Sequence, residues 1–102
     1  MATVQDPKTI TFTVSPDHAS IDKYVVGYFV GTAVSPFAEA DLGKGTPNAS
    51  NEVSFSLPPF APETLYTAKV KAVKGAAVSI WSGASDPFTR KLLPPGLPRI
   101  SA

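Results

Sequence analysis

The side chains that could carry out chemistry are few and dispersed. His18 is the only histidine and stands beside Asp17 in a polar segment, and the eight Asp and Glu residues are spread along the chain without a paired spacing. A metal site needs three or four converging ligands, and a general base needs an oriented partner. The chain has no cysteine and therefore no thiolate nucleophile. The sequence thus predicts a protein that is not an enzyme and that binds no cofactor or metal ion.

Composition limits the classes of partner. The chain has 102 residues, of which 43% are hydrophobic and 17% charged, with a net charge of +1. This length and hydrophobicity predict one soluble domain, and no apolar run is long enough to cross a bilayer. Lys and Arg are scattered, so no phosphate-binding surface is expected. Protein partners are therefore expected, whereas nucleic acid and membrane insertion are not. The N-terminus lacks the features of a secretory signal.

The elements that would position any binding residues are short strands. Eleven prolines and seven glycines interrupt the chain, and no long stretch between them keeps a helical period. Apolar residues instead alternate with polar ones, as in half-buried strands. Strands are predicted at residues 9–14, 21–30, 53–57, 66–73 and 85–92, and residues 38–42 form either an edge strand or one helical turn. Such a series is typical of an all-β sandwich or barrel.

One segment resembles a known family. Pro62-x-Thr64-x-Tyr66 is followed by alternating apolar residues that include Val70, and this pattern is similar to the entry into the sixth strand of fibronectin type III domains. The resemblance implies that the Tyr66 ring lies in the core while its hydroxyl bonds to nearby main chain. Phe60 stands where the family usually has a leucine and is expected to pack in the core.

Other segments match the same family in the same order. Tyr24-x-Val26-x-Tyr28 is similar to the third strand of that family. Phe55 and Leu57 match its strand before the segment that contains Tyr66. Trp81-Ser82 and the sequence 86–89 are similar to the approach to its last strand. Val14 stands where the family commonly has a tryptophan, so Trp81 is expected to supply that bulk.

The resemblance implies an immunoglobulin-like, fibronectin type III-like antiparallel β-sandwich of about seven strands. Only about eight residues precede the second strand, so the first strand is expected to be short or missing. Residues 1–92 are predicted to form the domain, and residues 93–102 a proline-rich tail that acts as a linker or as a docking strand.

Several residues are candidates for contact with other molecules. Leu97 and Ile100 are apolar residues of the tail, and Phe37 and Trp81 lie near loops, where either packing or exposed contact is open. Lys69 and Lys71 share one strand face, which predicts a solvated surface.

Two functions follow from the resemblance. The first is an accessory or decoration protein of a larger assembly, such as a bacteriophage particle, located on the virion surface and in contact with copies of itself or other subunits. The alternative is an extracellular spacer or binding module from an exported bacterial adhesin or polysaccharide-degrading enzyme, for which a carbohydrate partner is possible. Fold alone does not distinguish them.

Overall fold

The protein is all-β. The computed structural model describes residues 3–101, and within them no α-helix occurs, while one 3-10 turn covers His18–Ser20. The strands in chain order are β1 (Val4–Gln5), β2 (Thr9–Thr13), β3 (Lys23–Val30), β4 (Ala38–Gly43), β5 (Glu52–Ser56), β6 (Tyr66–Lys74), β7 (Ala77–Val78) and β8 (Phe88–Thr89).

The strands form a large sheet and a small one. The large sheet has the order β1-β8-β6-β3-β4, with β7 also paired to β6, and the small sheet consists of β2 and β5. All pairs are antiparallel except β1 with β8, which is parallel. Residues of the small sheet pack against the inner face of the large sheet, so the core lies between the two.

The core has two adjoining clusters. One contains buried residues of β3, β6 and β8, and the other is formed around Tyr24 and Val53. The residues that the sequence assigns to the core lie in or against these clusters, except Trp81, which does not fill the core but packs on the outer face of the large sheet. Tyr66, Tyr24 and Val26 are buried, and the half-buried residues packed against them include Phe55, Leu57, Phe60 and Val70.

The tyrosine that bonds across the core is not the expected one. The Tyr66 ring is buried among Tyr28, Phe60 and Phe88, but within residues 3–101 its hydroxyl makes no hydrogen bond. The Tyr28 hydroxyl instead donates to the Pro58 carbonyl at 2.6 Å. The connection after β5 brings that carbonyl to the end of β3, which corrects the expectation for the Tyr66 hydroxyl. Burial also raises the pKa of Tyr28 to about 12.

The ends of the sandwich differ from a regular arrangement. The first strand is short, as predicted, and it pairs with β8 rather than with β2. Residues 38–42 belong to the edge strand β4. The predicted final strand at 85–92 is wrong in extent, because only Phe88 and Thr89 are in a strand.

The chain after β8 leaves the sandwich. Arg90 is held to the connection before β6, since its Nε donates to the Phe60 carbonyl at 2.9 Å and its own carbonyl accepts from Glu63 at 2.8 Å. Residues 91–101 are exposed, and the described molecule measures 62 × 29 × 28 Å. Met1, Ala2 and Ala102 lie outside the described residues.

Candidate interaction surface

Residues 79–86, here called the serine segment, attach to β6 through side chains. Serines recur at every third position, and each serine N–H donates to a β6 carbonyl at 2.8–2.9 Å. Each serine Oγ accepts the N–H of the same β6 residue at 2.8–3.0 Å. The pairs are Ser79 with Ala72, Ser82 with Val70, and Ser85 with Ala68.

The serine side chains therefore replace main-chain acceptors. A regular strand would use two residues for each repeat of the ladder, whereas this segment uses three. The two residues between successive serines do not bond to β6, and they project from the ladder. Ile80 is 91% exposed, while Trp81 turns back over the outer face of the large sheet.

Trp81 covers the outer face of β3. Its ring contacts the Phe29 ring edge-on at a centroid distance of 5.3 Å. A Cβ on Gly27 would lie 2.7 Å from Trp81 Cη2, so this position requires glycine for close approach. Phe29 is 1% exposed as a result. Trp81 is thus half-buried in intramolecular packing and is not a free contact residue.

Two lysines of β6 complete the cover. Lys71 Nζ lies 4.5 Å from the centroid of the Trp81 ring and 3.0 Å from Glu39 Oε1. Lys69 Nζ lies 4.7 Å from the centroid of the Phe29 ring. Both ammonium groups therefore lie over aromatic rings at cation–π distance. The expectation of a freely solvated lysine face is therefore wrong, because β6 is a central strand.

An open seam separates β2 from the serine segment. The chain that would close it, β1, is paired to β8 instead. Hollows of about 230, 150 and 320 Å³ follow one another along the seam. Their walls are β2 and the serine segment, joined by Val4 and Pro7 at the Thr9 end, and their floor includes Ala68 and Val70. The seam is therefore an apolar groove bordered by a strand edge.

The main chain of β2 is bonded on one side only. Leu57 N donates to Lys8 O, and Val14 N donates to Asn51 O, both at 2.9 Å. Because antiparallel pairs alternate, the even-numbered residues of β2 bond to β5 and the odd-numbered residues face away from it. The N–H and C=O groups of Thr9, Thr11 and Thr13 thus point to the open edge, where no described strand pairs with them.

The tail is the most exposed apolar segment of the described chain. Leu97 is 95% and Ile100 96% exposed. Residues 93–101 make no hydrogen bond with the rest of the described chain. Phe37 is also exposed, although its ring contacts Tyr66 at a centroid distance of 6.1 Å. The interface candidates therefore divide: Leu97, Ile100 and Phe37 face solvent, and Trp81 does not.

His18 has a structural contact. Its Nδ1 lies 2.9 Å from the Tyr24 hydroxyl, which also accepts the Ser15 N–H at 2.9 Å. The two rings stack at 5.8 Å. Among residues 3–101, no three His, Cys, Asp or Glu side chains form a group that could hold a metal ion. The histidine therefore helps to anchor the turn between β2 and β3.

Comparisons of the chain with protein-family models, with curated proteins and with solved structures found no match. Within the described residues, no helix is long and apolar enough to cross a membrane.

Proposed function

We propose that the chain is a non-enzymatic interaction module of a larger protein assembly. One observation carries this proposal: the same small domain has an open strand edge above an apolar groove and an extended tail with exposed apolar side chains. Main-chain groups at a sheet edge and exposed apolar residues are both suited to contact with another protein. A domain with both features can link to its neighbours on two sides.

We further propose that the domain is of the fibronectin type III type. The third strand contains Tyr24, Val26 and Tyr28, and the sixth begins at Tyr66, which agrees with the positions that the resemblance implies. The pairing of β2 with β5 in one sheet and the order β8-β6-β3-β4 in the other also support this type. The departures from it are the missing hydroxyl bond at Tyr66 and the pairing of β1 with β8 rather than with β2.

The assembly that we favour is a bacteriophage particle, in which the chain would be an accessory or decoration protein on the virion surface. Its partners would be copies of itself or other subunits. The open edge and the tail support this choice because short strand contacts are weak singly and become effective when many copies are held close together.

Fractionation of particles from a lysed culture of the source organism tests the proposal. Density-gradient fractions are probed for the chain, and its copy number per particle is measured by quantitative mass spectrometry. Cofractionation with intact particles at a constant ratio is expected. Recovery of the chain only among free proteins, with particles that lack it, would overturn the proposed function.

A further inference from the structure

We infer that the tail of one copy adds to the β2 edge of a second copy as an antiparallel strand. This inference rests on the proposed function, since it names the partner and the contact. The acceptor is the seam, and the donor is residues 97–101.

The β2 edge can pair only with a strand in which three alternate residues present their N–H and C=O groups on the same side. Thr9, Thr11 and Thr13 present their N–H and C=O groups to the open edge. The side chains of Ile10 and Phe12 point to the core beneath them. An added strand would thus be bonded at alternate positions and would need an apolar side chain between them.

The tail has this pattern. In an extended chain, residues of the same parity direct their main-chain groups to the same side. Leu97, Arg99 and Ser101 all have an N–H, whereas Pro98 lacks one and falls on the opposite side. Residues 97, 99 and 101 therefore match Thr13, Thr11 and Thr9 in antiparallel order. The Pro98 nitrogen then lies on the free edge of the added strand, where a missing N–H is tolerated, and its ring lies on the same face as Phe12.

The same register decides which side chain is buried. Directly opposed residues point to the same face of a sheet. Leu97 opposite Thr13 therefore faces outward, and Ile100 opposite Ile10 faces the core. Hollows of about 230 and 150 Å³ lie beside Ile10 in the seam, and they can take the Ile100 side chain.

The tail of the same copy does not suit this register. The tail leaves β8 near the Thr9 end of the groove, because Phe88 and Thr9 border the same hollow. Residue 97 would have to reach the Thr13 end, and the chain would then have to reverse at Gly96 while both halves occupied one groove. A second copy needs no such reversal. Since donor and acceptor are different surfaces, the contact is head-to-tail and repeats from copy to copy.

The contact is expected to be weak. A single added strand falls at the low end of interface sizes, below ~1,200 Å², where complexes are transient. Sedimentation velocity of the full chain over a concentration series up to the millimolar range should therefore show reversible growth of the average mass. A monomer at every concentration would overturn the inference.

Matched variants test both surfaces. Thr11→Pro blocks the β2 edge, and Ser54→Pro is its control, because Ser54 lies directly opposite and directs its N–H to the other edge of the same small sheet. Both remove the 2.7 Å hydrogen bond between the two hydroxyls. Association should be lost in Thr11→Pro and kept in Ser54→Pro. The reverse result would overturn the inference, and a melting curve shows that each variant is folded.

A second pair of variants changes only residues of the exposed tail and leaves the core unchanged. Ile100→Glu introduces a charge at the side chain expected in the groove, and Leu97→Glu introduces the same charge at one expected to face outward. Ile100→Glu should abolish association, and Leu97→Glu should leave it within about twofold of the parent, as surface changes usually do. Loss in both or in neither would overturn the proposed pairing.

Mixing separates strand addition from general stickiness. Thr11→Pro keeps a donor tail, and Ile100→Glu keeps an acceptor edge. Each alone should be a monomer, and the mixture should form a one-to-one dimer that does not grow. A mixture that stays monomeric would contradict the inference, and the proposed function would still stand if the chain cofractionates with particles.

Discussion

The two faces of the large sheet are both covered, but by different kinds of contact. On the inner face, Tyr28, Tyr66 and Phe88 are buried against apolar residues of the small sheet. On the outer face, no second sheet lies over Phe29 within the described chain, and Trp81 with two lysines takes that place. The comparison shows that a strand can be buried on both sides although only one side belongs to the sandwich.

The largest effect is expected on the inner face. Phe88 is 5% exposed and its ring contacts Tyr28, Phe60 and Tyr66. Phe88→Ala should lower the free energy of unfolding by about 3–5 kcal/mol, because it leaves a cavity among packed rings. Urea denaturation measures the change. A loss below about 1 kcal/mol would mean that β8 is not part of the core.

The outer face should be most sensitive at Gly27. Gly27→Ala places a methyl group against Trp81 and Phe29 and should cost about 1–3 kcal/mol of unfolding free energy. Gly83→Ala is the control, because a Cβ there meets no atom within 4 Å. The cost at Gly27 should shrink when Trp81 is also replaced by alanine. Additive effects in that double variant would disprove the close contact.

Of the three buried tyrosines, Tyr28 and Tyr66 should differ in how much their hydroxyls contribute to stability. Tyr28→Phe removes the bond to the Pro58 carbonyl and should cost about 0.5–1.5 kcal/mol. Tyr66→Phe keeps the ring packing and should change the unfolding midpoint little. Equal effects of the two substitutions in chemical denaturation would remove the distinction between them.

The Tyr28 hydroxyl should make the free energy of unfolding fall at alkaline pH. The pKa of Tyr28 is raised from 10.0 to about 12 in the folded state. Its protonated form is therefore favoured by folding, so this contribution is complete below pH 10 and is lost as the pH rises through about 12. Unfolding free energies measured between these limits should fall more steeply for the parent than for Tyr28→Phe. Parallel pH profiles would contradict the assignment.

The smallest effect is expected at Lys71. Its side chain is 19% exposed and contacts both Trp81 and Glu39, so Lys71→Gln should cost about 0.5–1 kcal/mol, and less at high salt. Lys23→Gln is the control, because its pair with Asp41 is more exposed and should contribute little. If Lys71→Gln and Lys23→Gln lower the melting temperature equally at low and at high salt, the contacts of Lys71 with Trp81 and Glu39 add no stability beyond that of an exposed ion pair.

The inner face follows from the sequence more fully than the outer face. Alternation placed Tyr24 and Val26 in β3, and Phe55 in β5, because a period of two specifies which side chains face a core. It predicted a half-buried third strand, whereas β3 is buried on both faces. The same pattern could not indicate that Trp81 returns over Gly27, since that contact joins segments far apart in the chain.

The errors have identifiable physical causes. The final strand was predicted too long because β propensity does not show that the Ser85 hydroxyl replaces a main-chain acceptor or that Arg90 bonds to the Phe60 carbonyl instead of continuing the strand. The hydroxyl bond was assigned to Tyr66 from the family resemblance, whereas the position of the Pro58 carbonyl gives it to Tyr28. The short first strand was predicted. The open edge of β2 and its groove depend on where β1 pairs, which the sequence does not specify.

The serine segment has a consequence for how this part of the chain can change in length. In a regular strand, an insertion or deletion preserves the orientation of the side chains and the pairing with the next strand only when it contains an even number of residues. Between Ser79 and Ser85 the repeating unit contains three residues. In each unit one serine makes both hydrogen bonds to β6, through its N–H and its Oγ. Length variation there is therefore tolerated in triplets, and an alignment scored on two-residue alternation would misplace Trp81.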